Sequence, residues 1–566
     1  MTVTPSAADA GPGTGNGAET AVAPAENGAR AAAPLPAARP PSDPPVSRGF
    51  LAKAAFVTAA LSIAGALLGL VRDQALARLF GAGSETDAFL VAWTVPEFAA
   101  TLLIEDGLAF ALIPAFSLAL ARRAQGASGD PVRALVASTL PRLALAFAAV
   151  GALLAGTAPY LVEVLAPGLD DPRLAVDCTR LTATCVLSFG LAGYCSAALR
   201  AHRRFLAPAA IYVAYNVGII AGMCVLGGRF GVRSAAAGVA LGGCLMVLTQ
   251  LPVLWRQLRS DRPAPGEPGA DSEPPRPMDV ALMASVLLFA LARQSQVLIE
   301  RFLGSSLPSG AISHLNYAQK VAQIPMTLSM MLCTVTFPVV ARALADGDVE
   351  RARDRVERDL TLAACVVLLG AATVIACAPQ IVQLLFQRGA FTAGDTAATA
   401  SVMRVYALGL LGQTLVGVLV RSYFSAGRPS WYPVAAMTSG IVVTSLLGSW
   451  AVGPWGVLGI AFANAVGITA TAALLLAGTG PRSVPIRTRR VLAELSRPLG
   501  AAVGATVAAA FAAHHIGPAV PALAVGCVTA AAVFVLLGRA LGVQGLAPAL
   551  RSVRRVTRRF PHARVR

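Results

Sequence analysis

Long apolar runs separated by short polar junctions recur along nearly the whole chain. They fall at about 50–71, 87–118, 134–157, 178–199, 208–227, 234–255, 279–299, 311–341, 360–379, 397–420, 432–451, 456–477, 494–513 and 519–540. Crossing the hydrocarbon core of a bilayer takes about 20 apolar residues of helix. Each run is about long enough, so the pattern predicts an all-α polytopic membrane protein with about fourteen transmembrane helices. The runs at 87–118 and 311–341 are longer than one span requires. They hold Pro96 and Pro114, and Pro325 and Pro338, so both are expected to be kinked or tilted.

The stretch before the first run is different in kind. Residues 1–47 are rich in Ala, Pro and Gly with little apolar periodicity and read as a disordered cytoplasmic tail. They lack the charged start and short apolar core of a signal peptide. Composition agrees with the spans. Of 566 residues, 56% are hydrophobic and 13% charged, with a mean hydropathy of +0.66. A soluble chain is about a quarter charged, so a soluble multidomain enzyme is excluded. Nine cysteines show no CxxC spacing and mostly lie in apolar runs, as small buried hydrophobes do.

The net charge of +17 gains meaning only by location. Arginines crowd the even-numbered junctions: Arg122, Arg123 and Arg133, then Arg200, Arg203 and Arg204, and so on to Arg487, Arg489 and Arg490. Odd-numbered junctions carry few. The positive-inside rule therefore places the even side and both termini in the cytoplasm. The basic tail from Arg551 to Arg566 suits anionic lipid headgroups, not nucleic acid.

The two halves echo each other at a shift of 221 residues. Arg72 maps to Arg293, Arg200 to Arg421 and Pro208 to Pro429. Six spans lie between mates, an even number, so the halves are parallel repeats with a site expected at their interface. The predicted organisation is a tail (1–47), a first six-helix lobe (48–260), a cytoplasmic linker (261–278), a second six-helix lobe (279–480), two further spans (481–545) and a basic cytoplasmic tail (546–566).

Charges inside a membrane are costly and usually face a cavity or a partner. One cluster comprises Arg72, Asp73, Arg78, Glu85, Asp87, Glu97, Glu105 and Asp106. The other comprises Arg293, Glu300, Arg301 and Lys320. By the repeat they face each other across a central cleft. Guanidinium forks suit phosphate oxygens, which points to an anionic headgroup site. The plainer reading is that these arginines anchor a span end and pair with neighbouring acids.

Residues 69–114, GLVRDQALARLFGAGSETDAFLVAWTVPEFAATLLIEDGLAFALIP, resemble the start of the MurJ/MviN lipid II flippases. So do LFQRGAFTAGDTAATASVMRVYALGL (385–410), RSYFSAGRPSWYP (421–433) and NYAQKVAQIP (316–325). The resemblance implies the multidrug/oligosaccharidyl-lipid/polysaccharide exporter (MOP) fold, two six-helix lobes plus two C-terminal helices that line a groove for a lipid tail. It implies transfer of an undecaprenyl-diphosphate-linked peptidoglycan precursor across the bacterial plasma membrane by alternating access, for cell wall biosynthesis. Neither a catalytic reaction nor a cofactor nor a metal is expected. The implied partners are a lipid II-like substrate, membrane lipids and cell-wall synthesis enzymes.

Arg72 and Asp87 match the family's first-span Arg and second-span Asp. Glu105 matches its acidic residue before a Gly-rich turn, and Lys320 stands where the family has an eighth-span Arg. Ala66 and Ala100 stand where it has further arginines, and Gln319 and Gln323 where it has acids. The expected substrate site is therefore Arg72, Lys320 and Arg293, with Asp87 and Glu105. The departures keep two alternatives open: a different polyprenyl-linked glycan or a small molecule as cargo, or an envelope scaffold that transports nothing. A membrane glycosyltransferase rests only on Asp346-Gly-Asp348, a pattern that also suits a solvated loop. His314 is the one histidine with a candidate proton role.

Overall fold

The computed structural model describes residues 48–105, 107–126, 129–259, 280–334, 342, 346, 348–424, 430–480 and 485–543. The expected tails at 1–47 and 546–566, the linker at 261–278, and Asp106, Pro338 and Pro429 lie outside them. From Arg48 the chain forms one compact unit.

Its helices are α1 Arg48–Phe80, α2 Ser84–Ala92, α3 Thr94–Ala99, α4 Gly107–Ala124, α5 Pro131–Gly156, α6 Ala158–Leu165, α7 Pro172–Ala183, α8 Cys185–Ala201, α9 Leu206–Phe230 and α10 Arg233–Arg259. The second half runs through α11 Val280–Ser305, α12 Ala311–Ala322, α13 Ile324–Thr334, α14 Val349–Ala376, α15 Ala378–Phe386, α16 Ala393–Leu408, α17 Leu410–Phe424, α18 Tyr432–Trp455 and α19 Val457–Ala477. The last two are α20 Thr488–His514 and α21 Ala519–Ala540. Among the described residues, twelve helical segments are long and apolar enough to cross a membrane. The bent pair α16–α17, angled by 44°, makes thirteen. The expected run at 311–341 is described as α12 and α13, parted at Gln323, and continues into residues outside the description.

Local chemistry explains most starts and breaks. Asp130 and Asp171 cap α5 and α7 with their carboxylates, each followed by a proline in the first turn. Thr392 and Asp395 form a reciprocal capping box at α16. Asp348 accepts from Arg351 N at 2.9 Å and caps α14, so one carboxylate of the expected DxD pattern serves a helix start. That helix begins at Val349 rather than 360, because the charged stretch that follows is itself helical.

The long second span breaks at Trp93. Pro96 has no N–H to give the Ala92 carbonyl, and the hydroxyl of Thr182 on α7 supplies the missing donor at 3.1 Å. Further on, Ala100–Glu105 form a π-helical turn. Buried beside it is Gly193 of α8, where a Cβ would run into the Leu103 carbonyl.

The two halves repeat as packing. In the first, α9 lies on α10 and α1, α8 on α10, and α7 on α2 and α6. In the second, α18 lies on α19 and α11, α17 on α19, and α16 on α12 and α15. Backbones approach closely where small residues meet: a Cβ on Gly222 would come within 2.7 Å of Gly238 Cα. The final pair α20–α21 stands outside this repeat and packs on α14 and α15. Five cysteines, 178, 185, 195, 365 and 377, are buried, and none of those described forms a disulfide.

Candidate functional site

The seam between the halves holds the candidate residues, and it has two parts. At the end bearing the turns 81–83, 306–310 and 387–392, the halves are stitched together. Asp87 on α2 is 4% exposed. Its Oδ2 accepts from Gly310 N at 2.7 Å, and its Oδ1 accepts from Ser313 N at 2.7 Å and Ser313 Oγ at 2.5 Å. These donors are the start of α12. Gly310 occupies the N-cap with φ +93° and has no side chain to cap with. The carboxylate that caps α12 therefore comes from the other half. Ala390 N donates to the Arg78 carbonyl at 2.9 Å beside it. The fit is tight: a Cβ on Gly310 would stand 2.8 Å from the Ala82 carbonyl.

Further along the seam from this end stand two cations, Arg72 on α1 and Lys320 on α12. The Arg72 Nε and Nη2 donate to Asp73 Oδ1 at 3.0 and 2.7 Å, and Nη1 donates to Asn216 Oδ1 at 3.2 Å. Asn216 is oriented by giving its amide hydrogens to the Gly65 and Tyr212 carbonyls. The guanidinium lies 4.5 Å from the Trp93 ring. Lys320 on α12 donates to Glu97 Oε1 of α3 at 3.2 Å.

Arg72 and Lys320 line one cavity together with Asp73, Trp93 and Asn316, of about 10 Å³. That is room for about one water and not for a diphosphate. The site is closed in this conformation, and each cation is neutralised by a carboxylate. Of the plainer reading, the neighbouring acid holds for Arg72, while the span-end location does not, since Arg72 lies about two turns inside α1.

The other expected residues stand apart from this cavity. Arg293 is exposed midway along α11, with no carboxylate partner among the described residues. Glu105 is exposed at the end of the π turn and accepts from the Tyr212 hydroxyl at 2.9 Å. His314 meets Thr399 Oγ1 at 2.9 Å, with Asp395 at 3.8 Å. Behind the cavity, Glu300 and Arg301 are each 2% exposed. Asn464 donates to Glu300 at 2.7 Å, and Arg301 donates at 3.5 Å to Asn316, a residue of the cavity wall. Among the described residues no group of His, Cys, Asp and Glu is placed to hold a metal ion.

Sequence reading did not single out Trp93, Asn216, Ser313 or Asn316. Asn216 carried a usable signal, an amide inside the run IYVAYNVGII, since an amide in hydrocarbon demands partners.

A family model described as lipid II flippase MurJ matches residues 76–535. A lipid II flippase MurJ from Burkholderia cenocepacia is 26% identical over 441 residues, covering 77% of this chain and 84% of its own length. A probable lipid II flippase MurJ from Vibrio cholerae is 27% identical over 471 residues, covering 79% and 86%. Among solved structures, a lipid II flippase MurJ in an inward-closed conformation aligns with a TM-score of 0.67 at 18% identity, over 85% of this chain and 98% of its own. An inward-facing multidrug resistance MATE transporter of the MOP superfamily aligns at 0.57 and 14%, over 78% and 99%. These likenesses give the fold, a MOP-type bundle of two repeated halves with an added helix pair. With four-fifths of its length under the family model, the chain belongs to the lipid II flippase MurJ family.

Proposed function

We propose that this multi-pass protein of the bacterial inner membrane moves lipid II from the inner to the outer leaflet by alternating access. The observation that carries the reading is the seam. Two parallel halves are tied at one end by a trans-capping carboxylate, and two part-buried cations, Arg72 of the first half and Lys320 of the second, close on a cavity too small for cargo.

The positive-inside pattern puts the tied end on the outer face and both termini in the cytoplasm. In the inward-open state the cleft widens from the cytoplasmic side, Lys320 leaves Glu97, and it joins Arg72 in meeting the diphosphate, whose oxygens match a guanidinium fork and an ammonium. The polyprenyl tail stays in lipid. Parting of Asp87 from α12 then opens the outer end and releases the headgroup. Each half moves as a body about the seam, as its internal packing favours. Arg293 and Glu105 enter this reading as residues that meet the headgroup once the cleft is open.

The test is leaflet exchange of labelled lipid II in vesicles holding the full chain. Arg72→Ala and Lys320→Ala are each expected to slow exchange by about tenfold or more. Exchange at the wild-type rate in both removes the headgroup assignment. A second cargo is favoured by one observation: Ala66 and Ala100 leave no side-chain cation at two positions where the family resemblance has arginine. Vesicles offered a polyprenyl diphosphate carrying a different glycan separate the two, because faster exchange of that lipid than of lipid II would reassign the substrate.

A further inference from the structure

The two cations of the cavity are neutralised in different ways. Asp73 is the sequence neighbour of Arg72, so that carboxylate travels with its cation in every conformation. Glu97 and Lys320 are 223 residues apart. One rides on α3 in the first half and the other on α12 in the second. Their contact exists only while the halves are together. Glu97 is also held loosely for a carboxylate so deep in the fold: Oε1 takes the ammonium at 3.2 Å, while Oε2 is buried without a donor. A buried oxygen lacking a donor is costly, so this side chain gains from any ammonium that comes within reach. The ammonium side is freer, since the Lys320 side chain remains 36% exposed.

We propose that Glu97 is a built-in competitor for the cargo's phosphate groups, and that closure of the seam at Lys320, as the outer end parts, ejects the diphosphate by placing the Glu97 carboxylate on the ammonium. The inference rests on the reading of Lys320 as a headgroup residue and adds a specificity and release function to a residue outside that set. Open halves hold Glu97 away from Lys320, and the anion binds. Closing halves bring the carboxylate back, and two anions contend for one cation. Exchange of one anion for the other leaves the local charge balance of the pair unchanged, so release needs no proton and no co-substrate at this point. Trp93 and Asp73 hold Arg72 in place meanwhile, so Lys320 is the contact that changes hands.

The test uses the full chain in detergent or vesicles and undecaprenyl diphosphate as probe, with binding read by calorimetry and transfer read by leaflet exchange of labelled lipid II. Glu97→Gln keeps the volume and removes the charge. It is expected to bind the probe about tenfold more tightly than wild type and to slow steady-state exchange by a similar factor at saturating cargo, because release has become limiting. Glu97→Asp, which keeps the charge, is expected to stay within about threefold of wild type in both and guards against a merely structural defect. In a Lys320→Gln background, Glu97→Gln is expected to bring no further gain. Unchanged binding in Glu97→Gln, or an equal gain with Lys320 absent, overturns the proposal. Binding by Lys320→Gln as tight as wild type overturns the headgroup reading itself, and the exchange with it.

Discussion

Asp87 makes three short contacts to the start of α12, and all three partners are donors. An amide in its place can accept with one atom only and must turn an N–H₂ toward a donor. Asp87→Asn is therefore expected to loosen the tied end by about 1–3 kcal/mol, the usual cost of a buried unsatisfied group. Hydrogen exchange at the Gly310 and Ser313 amides is expected to rise by about tenfold or more, with the amides of α9 unchanged. Protection equal to wild type would mean that α12 is capped some other way. The position of Asp87 was legible in the chain as a charge inside an apolar stretch. Its partners were not, since Gly310 and Ser313 lie more than two hundred residues away and no spacing rule connects them. The same holds for Arg72 and Lys320. Their types and places could be read from sequence, while the pairing of Lys320 with Glu97 depends on how α3 meets α12.

At the scale of elements, the bilayer made the spans readable, because a run of about twenty apolar residues has few other uses. The breaks were half-readable. Pro96 announced a kink, but the Thr182 hydroxyl that satisfies the freed Ala92 carbonyl belongs to a different helix. The π turn at Ala100–Glu105 had no local signal at all. It persists because α8 offers Gly193, where the Leu103 carbonyl sits in the space of a missing Cβ. π turns are frequent at functional sites, and this one ends at Glu105. Gly193→Ala is expected to push the turn away and destabilise the fold by about 1–3 kcal/mol, as overpacking does, seen as a lower melting temperature in detergent. An unchanged melting temperature would show that the turn can shift without cost. The shorter helices repeat on a smaller scale: α6 and α15 start alike, at Thr157-Ala-Pro159 and Cys377-Ala-Pro379, a correspondence of the two halves at a shift of 220, one residue off the 221 of the arginine and proline matches.

For the whole molecule, the repeat seen in three residue matches extends to the helix pairings of both halves, so sequence and packing describe one duplication at different resolution. The added pair α20–α21 is fastened to the second half by charges at the end where α14 begins. Arg487 meets Asp354 and Glu357, and Arg353 donates to the Pro485 carbonyl at 2.6 Å. If the halves must part at the tied end, a covalent bond there stops the cycle. Arg78 and Ala390 are joined by a backbone hydrogen bond of 2.9 Å across the seam, close enough for a cysteine pair to be oxidised. Arg78→Cys with Ala390→Cys is expected to abolish leaflet exchange when oxidised and to recover it on reduction. Full exchange with the bond formed would refute separation at that end.

The pairing of Arg72 with its own sequence neighbour has an electrical consequence. A cation that carries its counter-ion is nearly invisible to the transmembrane potential, which otherwise contributes about 2.3 kcal/mol per unit charge per 100 mV. The empty protein can thus reset with little work against the field from that site. The loaded protein, whose cargo brings uncompensated negative charge, meets the field in full, and because an inside-negative voltage drives negative charge outward it would assist the outward stroke and leave the return nearly untouched.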